Sequence, residues 1–166
     1  MVDKKTKHIV EDEFEAVIED TTFDDKDWAK NETVVEFSGK YIKAVGRRKQ
    51  ASAQVRLYEG GKGVIMINGK RAAEYFQGEG FNVIVQPLKV TGHNRDFNFS
   101  IIVSGGGKFG QVDAVKLGIA RAIFALDPNT KEALKVNGFL TRDPRQVERK
   151  KPGLRKARKA PQWSKR

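Results

Sequence analysis

The sequence predicts an α+β fold, in which a small antiparallel or mixed sheet has helices packed on one face and continues into a long, extended, basic C-terminal tail. Short segments between residues 40 and 67 alternate apolar and polar side chains, as half-buried strands joined by tight turns do. Apolar residues spaced by three and four between Gln111 and Leu126 indicate an amphipathic helix. Residues 142–166 carry eleven Lys or Arg against two acidic residues, a local charge of +9.

The charge of the chain is distributed unevenly along its 166 residues. Residues 1–39 contain twelve Asp or Glu and five Lys, a charge of −7, whereas residues 40–166 carry +18. A body this basic is expected to bind a polyanion, and nucleic acid fits better than a membrane because no long amphipathic helix has bulky apolar anchors. The sequence contains no cysteine, which excludes disulfides and thiolate metal sites, and it has no signal-peptide-like or membrane-spanning apolar run.

The first folded elements are predicted to be three strands. Residues 40–45 alternate as a strand and end in a basic Gly-Arg-Arg-Lys loop at 46–49. Residues 51–58 predict the second strand, with the odd-numbered residues apolar and on one face. Strong turn residues at 59–63 lead to a third strand at 64–67, which an Asn-Gly pair closes. Connections this short predict an antiparallel meander.

The segment after the three strands is less regular. Residues 70–76 predict a short helix that ends before Gly78. Residues 81–92 are apolar enough for a strand, whereas their spacing around Pro87 also permits a kinked helix, and both interpretations stay open. Residues 94–103 predict another strand with alternating apolar side chains.

The clearest helix is predicted at residues 111–126, directly after a glycine-rich turn. Its apolar stripe consists of Val112, Val115, Ile119, Ala122, Ile123 and Leu126. An Asp-Pro pair at 127–128 is a start signal for a second helix, and Gly138 is a stop signal. A second Asp-Pro pair at 143–144 predicts a short turn of helix leading into the tail.

The chain therefore divides into an acidic extension (1–38), a globular domain (39–141) and a basic tail (142–166). The extension has a few apolar residues at helical spacing, too few for a stable helix, and we expect it to be solvated and disordered. An alternative is that it shields the basic surface until the partner arrives.

Catalysis finds little support in the residue pattern. His8 and His93 have no second ligand at metal spacing and no recognisable Ser or carboxylate partner, so we predict no catalytic residues and no metal site. The sequence SGGGKFGQ at 104–111 has three interpretations: a plain strand-to-helix turn, a contact with an RNA backbone, or a nucleotide site. It lacks the spacing of a P-loop, which favours the first two.

Candidate nucleic-acid contacts fall into two basic clusters. In the body they are Arg47, Arg48 and Lys49, with Lys108 in the glycine-rich turn. In the tail they are Arg142, Arg145, Arg149, Lys150, Lys151, Arg155, Lys156, Arg158 and Lys159. Interleaved Gly, Pro and Ala keep the tail thin enough to enter narrow RNA grooves, and Trp163 either stacks on a base or docks on the body.

Three strings in the sequence carry a family resemblance: GRRKQASAQVRLYEGGKGVIMINGK, VSGGGKFGQVDAVKLGIARAI and GFLTRDPRQVERKKPGLRKARKAPQWSKR. Together they resemble the small-subunit ribosomal protein S-nine family in its bacterial form. The resemblance covers about residues 40–166 and includes the terminal Ser-Lys-Arg. The acidic extension 1–38 departs from the pattern, because short members of the family lack it.

The resemblance implies an α+β structural protein of the cytoplasmic ribosome, without enzymatic activity, cofactor, membrane partner or small-molecule substrate. Its partners would be ribosomal RNA of the small-subunit head, neighbouring ribosomal proteins of the head, and P-site tRNA. The family's tail threads through ribosomal RNA and its last residues approach the anticodon stem-loop of P-site tRNA. By this resemblance the tRNA contacts are Ser164, Lys165 and Arg166. The alternatives are a free-standing RNA chaperone and, less favoured, a nucleotide-binding enzyme that uses SGGGKFGQ.

Overall fold

The structure, a computed structural model, describes residue 37 and residues 39–164. The other residues, among them most of the acidic extension and both Lys165 and Arg166, lie outside the described part, and so do the predictions that fall on them. The strands are β1 (Ile42–Arg48), β2 (Ala51–Glu59), β3 (Ile65–Ile67), β4 (Lys70–Arg71) and β5 (Phe97–Ser104). The helices are α1 (Ala72–Tyr75), α2 (Glu79–Thr91), α3 (Lys108–Leu126) and α4 (Lys131–Val136), with a 3-10 turn at Pro128–Thr130.

The strands form one mixed sheet in the order β1-β2-β5-β3-β4. β1 and β5 are both antiparallel to β2, whereas β3 is parallel to β5 and antiparallel to β4. The predicted α+β fold is confirmed, but the predicted meander is wrong, because β3 does not pair with β2. β5 pairs with β2 from Ser52 opposite Ser104 to Glu59 opposite Phe97, a ladder far longer than the three residues of β3 offer. Pairing β2 with β5 satisfies more backbone hydrogen-bonding groups than pairing β2 with β3 would. β3 therefore pairs with the other edge of β5.

The basic loop predicted at residues 46–49 is mostly strand. β1 continues through Gly46 and Arg47 to Arg48, and the turn is made by Lys49 and Gln50. Lys49 has a φ of 51°, the left-handed conformation that so tight a connection requires. Arg47 and Arg48 therefore sit at fixed positions at the end of a strand and do not belong to a free loop.

Residues 81–92, for which the sequence permits either a strand or a kinked helix, lie in helix α2 and its C-terminal cap. α2 contains Pro87 and buries Phe81, Ile84, Val85 and Leu88, whose spacing by one, three and four is that of a single helix face. The helix ends at Gly92, which adopts the left-handed conformation common at helix C-termini.

The predicted long helix is confirmed and begins three residues earlier than expected. α3 starts at Lys108, packs on β1 and β2, and is covered by α2. Of its predicted stripe, all but Leu126 are buried. The predicted Asp127 cap is confirmed on the 3-10 turn, since its side chain accepts a hydrogen bond from the Asn129 amide at 3.0 Å, while the α-helix itself begins later, at Lys131. Gly138 follows the end of α4 with a φ of 70°.

The helix turn predicted at residues 143–144 is wrong: residues 142–150 have no helical structure. The Asp143 side chain does accept the amide of Arg145, as a capping residue would, but Arg48 and Arg145 also bind its carboxylate. Further along, the tail makes a turn in which the Leu154 amide donates to the carbonyl of Lys151 at 3.3 Å. The described tail is otherwise without regular structure and largely exposed.

Candidate nucleic-acid interface

The interface begins where β1 lies directly on α3. A Cβ atom added to Gly46 would stand 1.8 Å from the carbonyl oxygen of Ala114 and 2.6 Å from the amide nitrogen of Gly118. A side chain at Gly118 would likewise collide with Val55 at 2.6 Å. Only glycines permit this approach of strand and helix backbones. The close contact places the end of β1 beside the first turns of α3.

Arg48, the last residue of β1, connects three parts of the chain. Its side chain is 12% exposed, and its Nε atom lies 3.4 Å from a carboxylate oxygen of Asp113 on α3. Its Nη1 atom makes an ion pair with the Asp143 carboxylate and donates to the Asp143 carbonyl oxygen at 3.2 Å. Arg48 thus joins the sheet and the long helix to the beginning of the tail.

Asp143 is held from its other side by Arg145. The Arg145 amide donates to Oδ1 of Asp143 at 2.8 Å, while its Nε and Nη2 atoms bind Oδ2 at 2.9 and 2.6 Å. These hydrogen bonds from Arg145, followed by the one from Arg48, hold the pKa of the Asp143 carboxyl well below its usual range. We name Arg48, Asp113, Asp143 and Arg145 the tail anchor.

A groove of about 260 Å³ opens beside the tail anchor. Its lining combines the end of β1, one side of α3 and the first residues of the tail. Its charged residues are Arg47, Arg48, Lys116, Arg142 and Arg145 against Asp113 and Asp143. Both carboxylates are already engaged in ion pairs, so the excess positive charge is available to an anion that enters the groove. We call this the basic groove.

The tail beyond the anchor carries a second, more exposed set of cations. Arg158 binds Glu148 through Nε at 2.8 Å, which closes residues 148–158 into a loop and lowers the pKa of Glu148. The cations left on the outside are Arg149, Lys150, Lys151, Arg155, Lys156 and Lys159, all exposed. Trp163 is 80% exposed, so its ring does not dock on the body.

Comparison with known proteins shows the family to which this chain belongs. Residues 46–166 match the family model described as "Ribosomal protein S9/S16". The chain belongs to this ribosomal protein family. The matched range starts at Gly46 in β1 and includes the residues of the basic groove and of the tail.

Individual relatives extend over nearly the same range. "Small ribosomal subunit protein uS9" of Thermosynechococcus vestitus is 50% identical over 123 residues, which cover 73% of this chain and 89% of the relative. The proteins of the same name from Cyanothece sp. and Trichormus variabilis are each 51% identical over 126 residues, again 73% of this chain, and the match covers 89% and 88% of their lengths. Family members of this kind are structural and have no enzymatic activity.

The structure brings together some of the predicted contact residues and separates others. Arg47, Arg48, Arg142 and Arg145 all line the basic groove. Lys49 projects from the neighbouring turn and is exposed. Lys108 does not line the basic groove. Its Nζ atom instead lies 3.4 Å from the carbonyl oxygen of Tyr75 in α1.

Lys116 and Asp113 belong to the groove but were missed in the sequence. Their Nζ and Oδ1 atoms lie 3.6 Å apart, one helical turn from each other on α3. Their spacing of three, outside the predicted apolar stripe, is the sequence signal that places the two side chains on a shared polar side of the helix. Its orientation toward Arg48 was not visible, since it depends on how β1 crosses α3.

The glycine-rich turn has the geometry of a plain strand-to-helix connection. Gly105 and Gly106 have φ values of 72° and 62°, and a Cβ on Gly105 would stand 2.5 Å from the carbonyl oxygen of Gln50. The side chain of Gln111 donates to the Gly105 carbonyl at 3.1 Å across the turn. The turn is therefore packed against the β1–β2 connection, which favours the plain-turn interpretation over a nucleotide site. Among the described residues, no cluster of His, Asp or Glu could hold a metal ion, and no helix is long and apolar enough to cross a membrane.

Replacing Asp143 with Ala is expected to release the start of the tail. The Arg145 amide loses its acceptor and should exchange with solvent deuterium at the rate of an unprotected amide, measured by mass spectrometry. Because the pKa of Asp143 is lowered on folding, the wild-type protection should persist at pH 4 and be lost only as the pH falls through the lowered value. Glu148→Ala removes a tail carboxylate outside the anchor and should leave this amide protected. Unchanged exchange in Asp143→Ala would contradict the anchor.

Proposed function

We propose that the basic groove and the tail bind ribosomal RNA of the small-subunit head, and that the end of the tail contacts P-site tRNA. The chain is a structural protein of the small ribosomal subunit and is not an enzyme. It binds ribosomal RNA and other ribosomal proteins. The observation that carries the finer proposal is the continuity of exposed cations from the basic groove into the tail.

The two parts of this surface have different physical roles. Arg47 and Lys116 of the basic groove are held at fixed positions on β1 and α3, so they suit a phosphate at one defined place. The tail cations are exposed on a thin segment and suit phosphates spread over several RNA elements. Each phosphate neutralised releases a condensed counterion, which favours binding and makes it sensitive to salt. Contacts of this kind position the protein on its RNA and do not read a sequence.

Arg48 has a different role from the other predicted contacts. Its low exposure and its pairing with Asp113 and Asp143 make it a positioning residue that orients the tail. Arg47, Lys49 and Arg142 are exposed and remain our proposed phosphate contacts in the body, together with Lys116 from α3. The tail contributes the exposed cations named above.

The length and charge of the tail support a contact with a distant partner. Ser164 lies 22 positions after Arg142, so the two can be at most about 75 Å apart when the chain is extended. No acidic residue follows Glu148, so the last part of the chain is uniformly attractive to RNA. We therefore propose Ser164, Lys165 and Arg166 as the tRNA contacts, with neighbouring proteins of the head around the globular domain.

Sedimentation of a cell lysate through a sucrose gradient tests the ribosomal assignment. The protein should migrate with the small subunit in low salt and remain there after a high-salt wash. A protein that stays near the top of the gradient in low salt would contradict the assignment. It would then favour a free-standing RNA chaperone, or a nucleotide-binding protein if the isolated chain also bound nucleotide saturably.

An Arg166→Ala variant tests the tRNA contact separately. We expect the affinity of P-site tRNA for purified small subunits to fall by about tenfold, since a hydrogen bond to a charged group contributes about 1.5–3 kcal/mol. Reading-frame errors should rise in parallel. Arg166→Lys retains the positive charge and should lower the tRNA affinity less than Arg166→Ala does. If tRNA affinity and frame maintenance were both unchanged in Arg166→Ala, the tRNA contact would be wrong while the ribosomal assignment stood.

A further inference from the structure

In the part of the chain that the structure describes, α2 and α3 leave the second face of the sheet uncovered. α3 packs on the face formed by Ala53 and Val55 of β2, both of which are fully buried. The alternate residues of the same strand point the other way, where Gln54 is exposed and Arg56 is half-buried. On β5 the same side carries Ile102, which is 48% exposed. We call this side of the sheet the open face.

A row of residues crosses the open face through all five strands. Lys43 pairs with Arg56, Arg56 with Ser100, Ser100 with Met66, and Met66 with Arg71. With neighbouring strands about 4.8 Å apart, the row extends over roughly 19 Å and carries a cation at each end and a third within it.

The open face is basic without acidic neighbours in the sheet. Glu59 is the only acidic residue of the five strands, and the alternation of β2 places it on the opposite side, with Leu57. Arg47 adds a further cation in the row of Ser52 and Ser104. Lys43 is exposed and Arg56 is half-buried, and no carboxylate of the five strands lies on their side of the sheet, so these two cations give the face a positive potential that a polyanion can use.

One corner of the open face is aromatic. The rings of Tyr41 and Tyr58 lie 5.7 Å apart, and Phe37 packs on Tyr58 at 5.3 Å. The guanidinium of Arg56 lies 5.4 Å from the centre of the Tyr41 ring. Tyr41 is nevertheless 48% exposed, so part of a ring fixed by its neighbours faces solvent.

We propose that the open face is a second RNA-binding surface, which takes an unpaired RNA segment with its phosphates against Lys43 and Arg56 and a base against Tyr41. The proposal rests on the proposed function in RNA binding and adds a surface that meets the basic groove at Arg47. An exposed aromatic ring beside cations suits unpaired nucleotides, since a duplex keeps its base faces stacked. A protein partner is less favoured, because the face has few exposed apolar side chains around Ile102.

Site-specific cross-linking of the full chain provides the test. The probe is a 12-nucleotide oligouridylate containing 4-thiouridine, irradiated with the protein and mapped by mass spectrometry. We expect cross-links to peptides of β1 and β2 as well as to the tail. A 12-base-pair RNA duplex should keep the tail cross-links and lose those to the strands.

Variants assign the strand cross-links to the open face. Lys43→Gln/Arg56→Gln, and separately Tyr41→Leu, should lower the strand yield by about fivefold or more, since stacking alone contributes about 1–3 kcal/mol per base. The tail yield of the same sample is the internal reference. Lys62→Gln/Lys135→Gln removes two exposed cations elsewhere and should change neither yield. Thermal unfolding checks that each variant is folded.

The outcomes separate this inference from the proposed function. Tail cross-links without strand cross-links, or strand cross-links that no open-face variant reduces, would overturn the inference and leave ribosomal RNA binding intact. If, in addition, a lysine-reactive reagent joined Lys43 to another protein within the small subunit, the face would belong to a protein partner. Failure of the protein to sediment with the small subunit would instead overturn the proposed function.

Discussion

A Gly46→Ala variant is expected to be strongly destabilised. The new methyl group would stand 1.8 Å from the Ala114 carbonyl oxygen and 2.6 Å from the Gly118 amide nitrogen, and both are backbone atoms that cannot turn aside. Overpacking usually lowers the free energy of unfolding by about 1–3 kcal/mol, and a clash with helix backbone belongs at or beyond the upper end. For a folded part of this size, the melting temperature should fall by about 10 °C or more, measured by circular dichroism.

Gly110→Ala is the matched control for this substitution. Gly110 lies inside α3, and a Cβ there would meet its nearest atoms at 3.6 Å, an ordinary van der Waals distance. Alanine is the better helix former by about 1 kcal/mol, so this variant should be as stable as the wild type or more stable. Both substitutions add one methyl group, but Gly46→Ala should lower the melting temperature and Gly110→Ala should leave it unchanged or raise it. Equal melting temperatures for both variants would show that β1 does not rest on α3 as closely as the structure has it.

Gly46→Ala should also affect RNA binding through the basic groove. Moving β1 away from α3 separates Arg48 from Asp113, which lie 3.4 Å apart. The tail would then leave the body in a different direction even in molecules that remain folded. The same glycine thus supports both the stability of the domain and the placement of its RNA contacts.

Truncation of the chain after Val147 is expected to have the largest effect on RNA affinity. It removes nine Lys or Arg and one Glu while retaining Asp143 and Arg145 of the tail anchor. A protein that contacts six to ten phosphates loses about 10³–10⁵ in affinity between 50 and 200 mM salt. Between 50 and 200 mM salt, we expect the affinity of the full chain for small-subunit ribosomal RNA to fall by about 10³–10⁵. Over the same interval, the affinity of the truncated chain should fall by less than about tenfold. Filter binding at the two salt concentrations measures both values.

The truncation is designed so that a folding defect cannot imitate the result. Residues 148–164, the described part of the removed segment, are mostly exposed and have no helix or strand, so the melting temperature should change little. Removing the chain after Thr141 instead would also delete Asp143, one of the two carboxylates that pair with Arg48 among the described residues. If the truncated chain kept the full salt dependence, the basic groove and the sheet would supply the RNA affinity and the tail would not.

Much of this protein follows from local patterns in the sequence. The alternation in β2, the stripe on α3 and the Asp127 cap predict elements that the structure confirms, because each depends on neighbours within a few residues. The family assignment also rests on the sequence, as does the expectation that cations in the tail bind RNA. These features need no knowledge of how the elements pack.

The tertiary structure decided what depends on contacts between distant residues. β3 pairs with β5 because the ladder between β2 and β5 is longer, and residues 81–92 form a helix around Pro87 because α3 offers their apolar face a partner. Arg48 binds Asp143, 95 residues away, only because Gly46 lets β1 rest on α3. Local sequence patterns were enough for β1, β2, β5, the long helix, the family and the charge of the tail. Packing alone decided which cations orient the tail and which face of the sheet stays open, since both depend on distances that no local pattern encodes.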